Sequence, residues 1–186
     1  MGRGHLFLGS PRISYRDREV WALNVGAMTG GLCHVAFQIH QLEDFAGPHT
    51  SKQMAKKYDE WLRNLTIPVY MEKHRDEYPT SIAYPFEEVF KMTERVIQGL
   101  ASLKPLKFLT SSADYAIALA ILQNRPKIDL FGFEMAVGTE YAYQRPGLSF
   151  WVGFAAGRGI PLNVYCANGI FNKTIYGSER LQYANV

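Results

Sequence analysis

Three consecutive hydroxyl residues, Thr110 to Ser112, open an apolar stretch and are the first candidates for chemistry in this chain. The stretch behind them, Tyr115–Leu122, is apolar on all sides and predicts a buried helix. Ser111 and Asp114 have the spacing of a capping box, with Asp in place of the usual Glu or Gln. Free N–H groups at such a helix start attract phosphate or carboxylate, and the hydroxyls add donors. A simple helix cap at Ser111 explains the pattern equally well.

A second polar group follows residues 127–133, which predict a buried strand. Glu134 stands at the end of this strand, and the loop after it holds a dense polar and aromatic cluster: Glu140, Tyr141, Tyr143, Gln144 and Arg145. Arg145 is suited to binding an anion through two parallel hydrogen bonds. Glu134 and Glu140 are suited to catalysis, to orienting a sugar hydroxyl, or to holding a divalent cation. An internal Glu–Arg ion pair that locks the loop is an equal alternative.

Further candidates stand where earlier apolar segments end. They are Gly9 and Ser10 after residues 5–8, Asn24 at the end of residues 20–24, and Gln38 and His40 at the end of residues 34–40. In open α/β sheets, ligands gather beyond the carboxyl ends of the strands. We therefore expect phosphate at Ser10, a base or ribose at Asn24, and acid–base catalysis at His40. A turn, a structural Asn and an exposed His are the ordinary alternatives.

The apolar pattern predicts the elements that must position these groups. Strands are expected at residues 5–8, 20–24, 34–40, 67–71, 127–133 and 161–166, and helices at 51–65, 85–100, 111–122 and 146–158. Residues 26–31 are expected to be flexible or tightly turned, and residues 72–84 to form a loop that serves as a flap or rim. This order predicts an α/β fold, a three-layer Rossmann-like sandwich with a mainly parallel sheet, in a single domain over residues 1–186.

Composition excludes several classes of function. The 186 residues carry a net charge of only +3, without a basic run that would indicate nucleic-acid binding. The two cysteines are not paired as CxxC, and the histidines lack zinc spacing such as HExxH, so we expect no structural metal and a cytoplasmic location. GxGxxG, Walker and GxSxG patterns are absent from the sequence. No apolar run is long enough to predict a membrane span.

Several segments together resemble a known family. They are VWALN, FQIH, IPVYM, TSSADYAIALAI, and IDLFGFEM with EYAYQR and GRGI, and they cover roughly residues 6 to 165. The chain resembles a Rossmann-like family of uncharacterised phage and bacterial proteins. That family is similar to 6-hydroxymethylpterin pyrophosphokinase-like proteins and to bacterial sialyltransferases that use a CMP-activated sugar.

The resemblance implies a nucleotide site. In such sialyltransferases the nucleotide contacts the first strand–loop, an Asn after the next strand, and a Ser-rich helix start. The matching positions here are Gly9 and Ser10, Asn24, and Thr110 to Ser112. Two departures concern the catalytic groups: the family's late histidine has no counterpart after His74, and its usual Asp is Glu134.

The sequence therefore predicts a transferase that uses a nucleotide-activated donor, for glycosyl or pyrophosphoryl transfer. The catalytic candidates are His40, Glu134 and Glu140. The substrate-binding candidates are Gly9, Ser10, Asn24, Gln38, Thr110, Ser111, Ser112, Tyr143, Gln144 and Arg145. The alternative is a protein that binds a nucleotide or nucleotide-sugar without turnover. A divalent cation and a homo-oligomer are compatible with either hypothesis.

Overall fold

The computed structural model describes residues 18–40, 51–94, 108–133 and 141–165. The chain divides into two compact units: the N-terminal unit, His5–Phe86, and the C-terminal unit, Glu87–Val186 together with Met1–Gly4. Each strand pair that the structure describes is parallel. The predicted α/β class with a mainly parallel sheet is confirmed, whereas the single domain stays a prediction.

Among its described residues, the N-terminal unit has a parallel sheet of four strands that lie side by side in the order of the sequence. The strands are β1 (Trp21–Leu23), β2 (Val35–Gln38), β3 (Val69–Met71) and β4 (Ser81–Ala83), and the helices are α1 (Val25–Thr29) and α2 (Lys52–Arg63). Because all four strands run the same way, their carboxyl ends meet at one edge of the sheet. The register places Gln38 beside Met71, and Met71 beside Ala83.

Alternation along the strands gives the sheet two different faces. One face forms the core of the unit with side chains of α1 and α2; its buried members are Ala22, Ala27, Ala36, Tyr58, Leu62, Val69, Met71 and Tyr78. The cluster combines the small side chains of Ala22 and Ala36 with the bulky Tyr58. The opposite face carries an aromatic row, in which the Phe37 ring lies 5.5 Å from Trp21 and 5.3 Å from Tyr70.

Two elements of this unit differ from the sequence prediction. Residues 25–29, expected to be flexible or turned, form the short helix α1 despite Gly26. Residues 81–83, expected within a loop, form β4, which pairs with β3. Neither Ile82 nor Ala83 is buried, so β4 lacks the apolar alternation by which a strand is recognised.

Helix α2 matches its prediction closely. The hydroxyl of Ser51 accepts a hydrogen bond from the Met54 amide at 3.2 Å and caps the helix start. Leu62 is fully buried in the core, whereas Met54 on the same helix is 36% exposed. The helix therefore buries one stripe and leaves the other side at the surface.

The described residues of the C-terminal unit form three helices and a two-stranded parallel ladder. They are α3 (Phe86–Glu94, whose first residue belongs to the N-terminal unit), α4 (Ser112–Leu122), β5 (Ile128–Phe131), α5 (Tyr141–Gly157) and β6 (Leu162–Tyr165). Most of α4 is buried, as its apolar sequence predicts. The loop prediction for residues 141–145 is wrong, because α5 begins at Tyr141 and contains Pro146. Gly159, two residues after the end of α5, has a positive φ of 76°, a conformation common just beyond a helix end.

We expect Leu62→Ala to lower the free energy of unfolding by about 2–5 kcal/mol, because it leaves a cavity where a fully buried side chain stood. Met54→Ala on the same helix is the control and should change stability by less than about 0.5 kcal/mol. Urea unfolding followed by circular dichroism measures both. Equal losses for the two variants would show that α2 is not packed through Leu62.

Candidate functional site

The start of α4 is built around the carboxylate of Asp114. Its Oδ2 atom accepts hydrogen bonds from the Thr110 amide at 2.7 Å, the Ser111 amide at 2.8 Å and the Thr110 hydroxyl at 3.0 Å. In return, the Ser111 hydroxyl accepts from the Asp114 amide at 3.4 Å. The predicted capping box is therefore confirmed, with Ser111 as the N-cap.

Asp114 itself is completely buried. Its second carboxylate oxygen, Oδ1, has no hydrogen-bond partner among the residues that the structure describes. Burial raises the pKa of Asp114 to about 6, and the hydrogen bonds from Thr110 and Ser111 offset only part of that rise. A carboxyl group in this state changes its charge near pH 6.

Helix α5 closes over this helix start at Gly147. A Cβ atom on Gly147 would collide with the Thr110 hydroxyl and lie 2.7 Å from Asp114 Oδ2 and 2.8 Å from the Phe108 carbonyl oxygen. The Thr110 hydroxyl also reaches the Gln144 carbonyl at 3.2 Å, and the Trp151 indole N–H donates to the Phe108 carbonyl at 2.9 Å. Residues 108–114 are thus joined to two successive turns of α5.

These contacts bear on the expected phosphate site at Thr110, Ser111 and Ser112. The amides of Thr110 and Ser111 already bind an anion, which is the carboxylate of Asp114. Ser111 and Ser112 are each only 7% exposed. A phosphate that used the same two amides would have to displace Asp114, so the phosphate-binding role of this helix start stays a prediction and has a competitor within the chain.

Asn24 lies at the carboxyl end of β1, where the sequence places it. Its backbone has φ 50° and ψ −143°, and its amide donates to the Phe37 carbonyl at 2.8 Å. A positive φ is uncommon outside glycine and costs on the order of 1–3 kcal/mol where the conformation is sparsely populated. The protein therefore keeps a strained residue at the sheet edge where α/β proteins bind ligands.

Gln38 ends β2 beside Asn24, but its side chain is engaged in the interior. The Tyr58 hydroxyl donates to Gln38 Oε1 at 2.9 Å, and Gln38 Nε2 donates to the His40 carbonyl at 2.8 Å. Tyr58 was not among the site candidates that the sequence suggested. The contacts make Gln38 a positioning group that holds the exposed His40 by its backbone at this edge.

The remaining candidates are more dispersed. Tyr143 is 85% exposed on the first turn of α5, whereas Gln144 and Arg145 are half-buried. Gln144 acts through its backbone carbonyl, which lies within reach of Thr110. Gly9, Ser10, Glu134 and Glu140 lie outside the described residues.

His74 and Asp76, in the connection from β3 to β4, lie near Ser81 at the start of β4, but the arrangement of the three is not that of a catalytic triad. His74 Nδ1 is 2.8 Å from the Ser81 carbonyl oxygen, which only accepts, so Nδ1 carries a proton and donates it. The same nitrogen lies 3.0 Å from Ser81 Oγ and therefore has no lone pair with which to activate it. The Ser81 hydroxyl instead accepts a hydrogen bond from the Arg75 amide at 2.9 Å and donates one to the Arg75 carbonyl at 3.0 Å.

This connection is the segment that the sequence suggested as a flap or rim. Tyr78 anchors it: its ring is buried and its hydroxyl donates to Asp59 of α2 at 2.6 Å. Burial, together with the Asp59 carboxylate, raises the pKa of Tyr78 above its usual range, so the hydroxyl remains a donor. The segment is therefore fixed to the core at its middle.

The described residues give little support to a nucleophilic cysteine, a metal site or a membrane-spanning helix. Burial raises the pKa of the Cys33 thiol to about 11, which keeps it protonated and poorly nucleophilic. Within residues 18–40, 51–94, 108–133 and 141–165, no three His, Cys, Asp or Glu side chains lie together as metal ligands would. No helix in these ranges is long and apolar enough to cross a membrane.

Comparisons with protein families, with curated proteins and with solved structures find no match to this chain.

We expect Gly147→Ala to lower the free energy of unfolding by at least about 1–3 kcal/mol, because the added methyl group would overlap the Thr110 hydroxyl and press on two oxygens. The measurement is urea or thermal unfolding of the full chain.

Gly153→Ala on the same helix provides the matched control. A Cβ atom there meets nothing within 4 Å. This substitution should raise stability by about 0.4–1 kcal/mol, because alanine loses less backbone entropy than glycine on folding. If both variants were stabilised, α5 would not approach the start of α4 as closely as the structure describes.

Proposed function

We propose that this chain binds a nucleotide or a nucleotide-activated sugar at the carboxyl edge of the β1–β4 sheet. The observation that carries the proposal is Asn24, held at a positive φ immediately after β1. An asparagine side chain offers both a donor and an acceptor, which suits the polar edge of a base or a ribose hydroxyl. Strain of this kind persists where the surrounding structure enforces it, and such positions cluster at functional sites.

The residues near Asn24 also support a ligand site at this edge of the sheet. Gln38 ends β2 and His40 follows it at this edge, and the hydrogen bond from Gln38 to the His40 carbonyl fixes the backbone there. His40 is exposed, so its imidazole is accessible to a ligand. Parallel α/β sheets bind ligands at this edge because loops, helix starts and strand ends converge on it.

We further propose that the bound nucleotide is the donor of a transfer reaction, in which a glycosyl or pyrophosphoryl group moves to an acceptor. The resemblance to Rossmann-like transferases supports this reaction and, with it, the three-layer arrangement of the fold. His40 is the acid–base candidate among the described residues, and Glu134 and Glu140 remain candidates from the sequence. Binding without turnover is the alternative, favoured by the lack of a histidine after His74.

Thermal unfolding in the presence of ligands tests the proposal. Nucleoside monophosphates, diphosphates and triphosphates and nucleotide-sugars, each with and without Mg²⁺, are added to the full chain. At a ligand concentration of 100 times Kd, we expect stabilisation of about 2.7 kcal/mol. Chromatography of the same mixtures, with added acceptor sugars, detects transfer. Stabilisation without product supports the binding protein, whereas no stabilisation by any nucleotide contradicts the proposed function.

Asn24→Gly locates the site. Glycine adopts a positive φ without strain, so this variant removes the amide side chain while keeping the backbone. Asn124, at the end of α4, also has a positive φ, of 53°, and Asn124→Gly is the matched control. We expect Asn24→Gly to reduce the ligand-induced shift at least threefold and Asn124→Gly to leave it unchanged. Equal shifts in both variants would exclude Asn24 from the site.

A further inference from the structure

We propose that protonation of the buried Asp114 carboxyl group, on Oδ1, strengthens the contact between the start of α4 and α5. This inference goes beyond the proposed function, because it concerns the C-terminal unit and needs no ligand. It starts from an asymmetry within a single side chain. Oδ2 accepts three hydrogen bonds, whereas Oδ1 is buried without a described partner.

The asymmetry makes the ionised form costly. A buried acceptor without a partner loses its hydration, and the loss is greater when the group is charged. The three donors on Oδ2 and the positive end of α4 favour the charged form. Burial outweighs them, so the pKa of Asp114 rises to about 6. A proton placed on Oδ1 removes the charge and leaves Oδ2 as an acceptor.

The Thr110 hydroxyl connects this carboxyl group to α5. Its oxygen lies 3.0 Å from Asp114 Oδ2 and 3.2 Å from the Gln144 carbonyl oxygen, but a hydroxyl has one proton to donate. An ionised carboxylate is the stronger acceptor and draws that proton towards itself. Once Asp114 is neutral, the Thr110 proton is free to bind the Gln144 carbonyl, which strengthens the link between the helices.

Few charged groups lie on the elements packed against Asp114. Residues 108–110 carry no titratable side chain, and Tyr115 is the next titratable residue of α4. On α5, Tyr143 and Arg145 are the titratable residues before Gly147 whose side chains the structure describes, and Arg158 follows the helix end. None of these groups contributes to the shift of the Asp114 pKa, whose causes are burial and the hydrogen bonds of Thr110 and Ser111.

The sign of the pH effect follows from linkage. The folded chain binds the Asp114 proton with a pKa of about 6, whereas the ordinary value is 3.8. Stability therefore rises as the pH falls through about 6 and levels off below about 4. Between pH 7 and pH 5, the contribution of Asp114 lowers the unfolding equilibrium constant by about tenfold.

The first test is direct titration of the carboxyl group by ¹³C NMR on the full chain, with Asp114→Asn used to assign the signal. We expect a midpoint near pH 6. A midpoint at the ordinary value near 4 would overturn the proposal. If Asp114→Asn does not fold, assignment through the backbone of the unsubstituted chain gives the same reading.

The second test compares variants in urea unfolding at pH 5 and pH 7. Asp114→Asn has the charge of the protonated form at every pH, so the tenfold change should disappear. Asp76→Asn removes an acidic side chain that is fully exposed and should retain the change. If Asp114→Asn and Asp76→Asn showed the same pH dependence as the unsubstituted chain, Asp114 would not be the group that senses pH.

Discussion

Parallel pairing is the constraint on which the described structure depends. A strand that runs parallel to its neighbour must be reached by a crossover from the far end of the sheet, and such crossovers usually contain about a dozen residues or more. Residues 39–68 meet this requirement with α2. Residues 72–80 link β3 to β4 with a shorter segment that has no helix. Bonds from Tyr78 to Asp59 and around Ser81 take the place of the packing that a helix would supply.

The same constraint decides where chemistry can occur in the N-terminal unit. Since all four strands end at one edge, Asn24 after β1 is brought beside Gln38 and His40 at the end of β2, although the two strand ends are separate in the sequence. Their roles are nevertheless different. Asn24 has a strained backbone, and the Gln38 side chain is hydrogen-bonded to the buried Tyr58. The His40 carbonyl accepts a hydrogen bond from Gln38, whereas His40 itself is exposed. A shared edge gives proximity, and the contacts of each residue decide whether it faces a ligand or the core.

Sequence reasoning succeeded where a local physical rule decides the structure. The cap at Ser111 follows from the bonding needs of a helix start, and the buried strands follow from continuous apolar runs. It failed where tertiary contacts override local signals: α1 forms through Gly26, β4 pairs without apolar alternation, and α5 begins five residues before Pro146.

The candidate site shows the same limit. The capping box was visible in the sequence as Ser111 and Asp114. The sequence could not reveal that one oxygen of Asp114 receives all the donors, nor that Gly147, distant in the chain, lies against it. The sequence predicted a phosphate site because the amides at a helix start lack partners within the helix. The structure shows that the Asp114 carboxylate already binds the amides of Thr110 and Ser111. Predicting a ligand site therefore requires knowing which groups are already satisfied.

The close approach of Gly147 to Thr110 and Asp114 also limits which substitutions evolution can accept at these positions. No side chain larger than hydrogen fits at position 147 while Thr110 and Asp114 are present. A substitution at one of the three positions is therefore constrained by the residues at the other two. Diverging homologues should keep the three residues together or exchange them together. Their joint inheritance would mark kinship even after the surrounding apolar residues had been replaced beyond recognition.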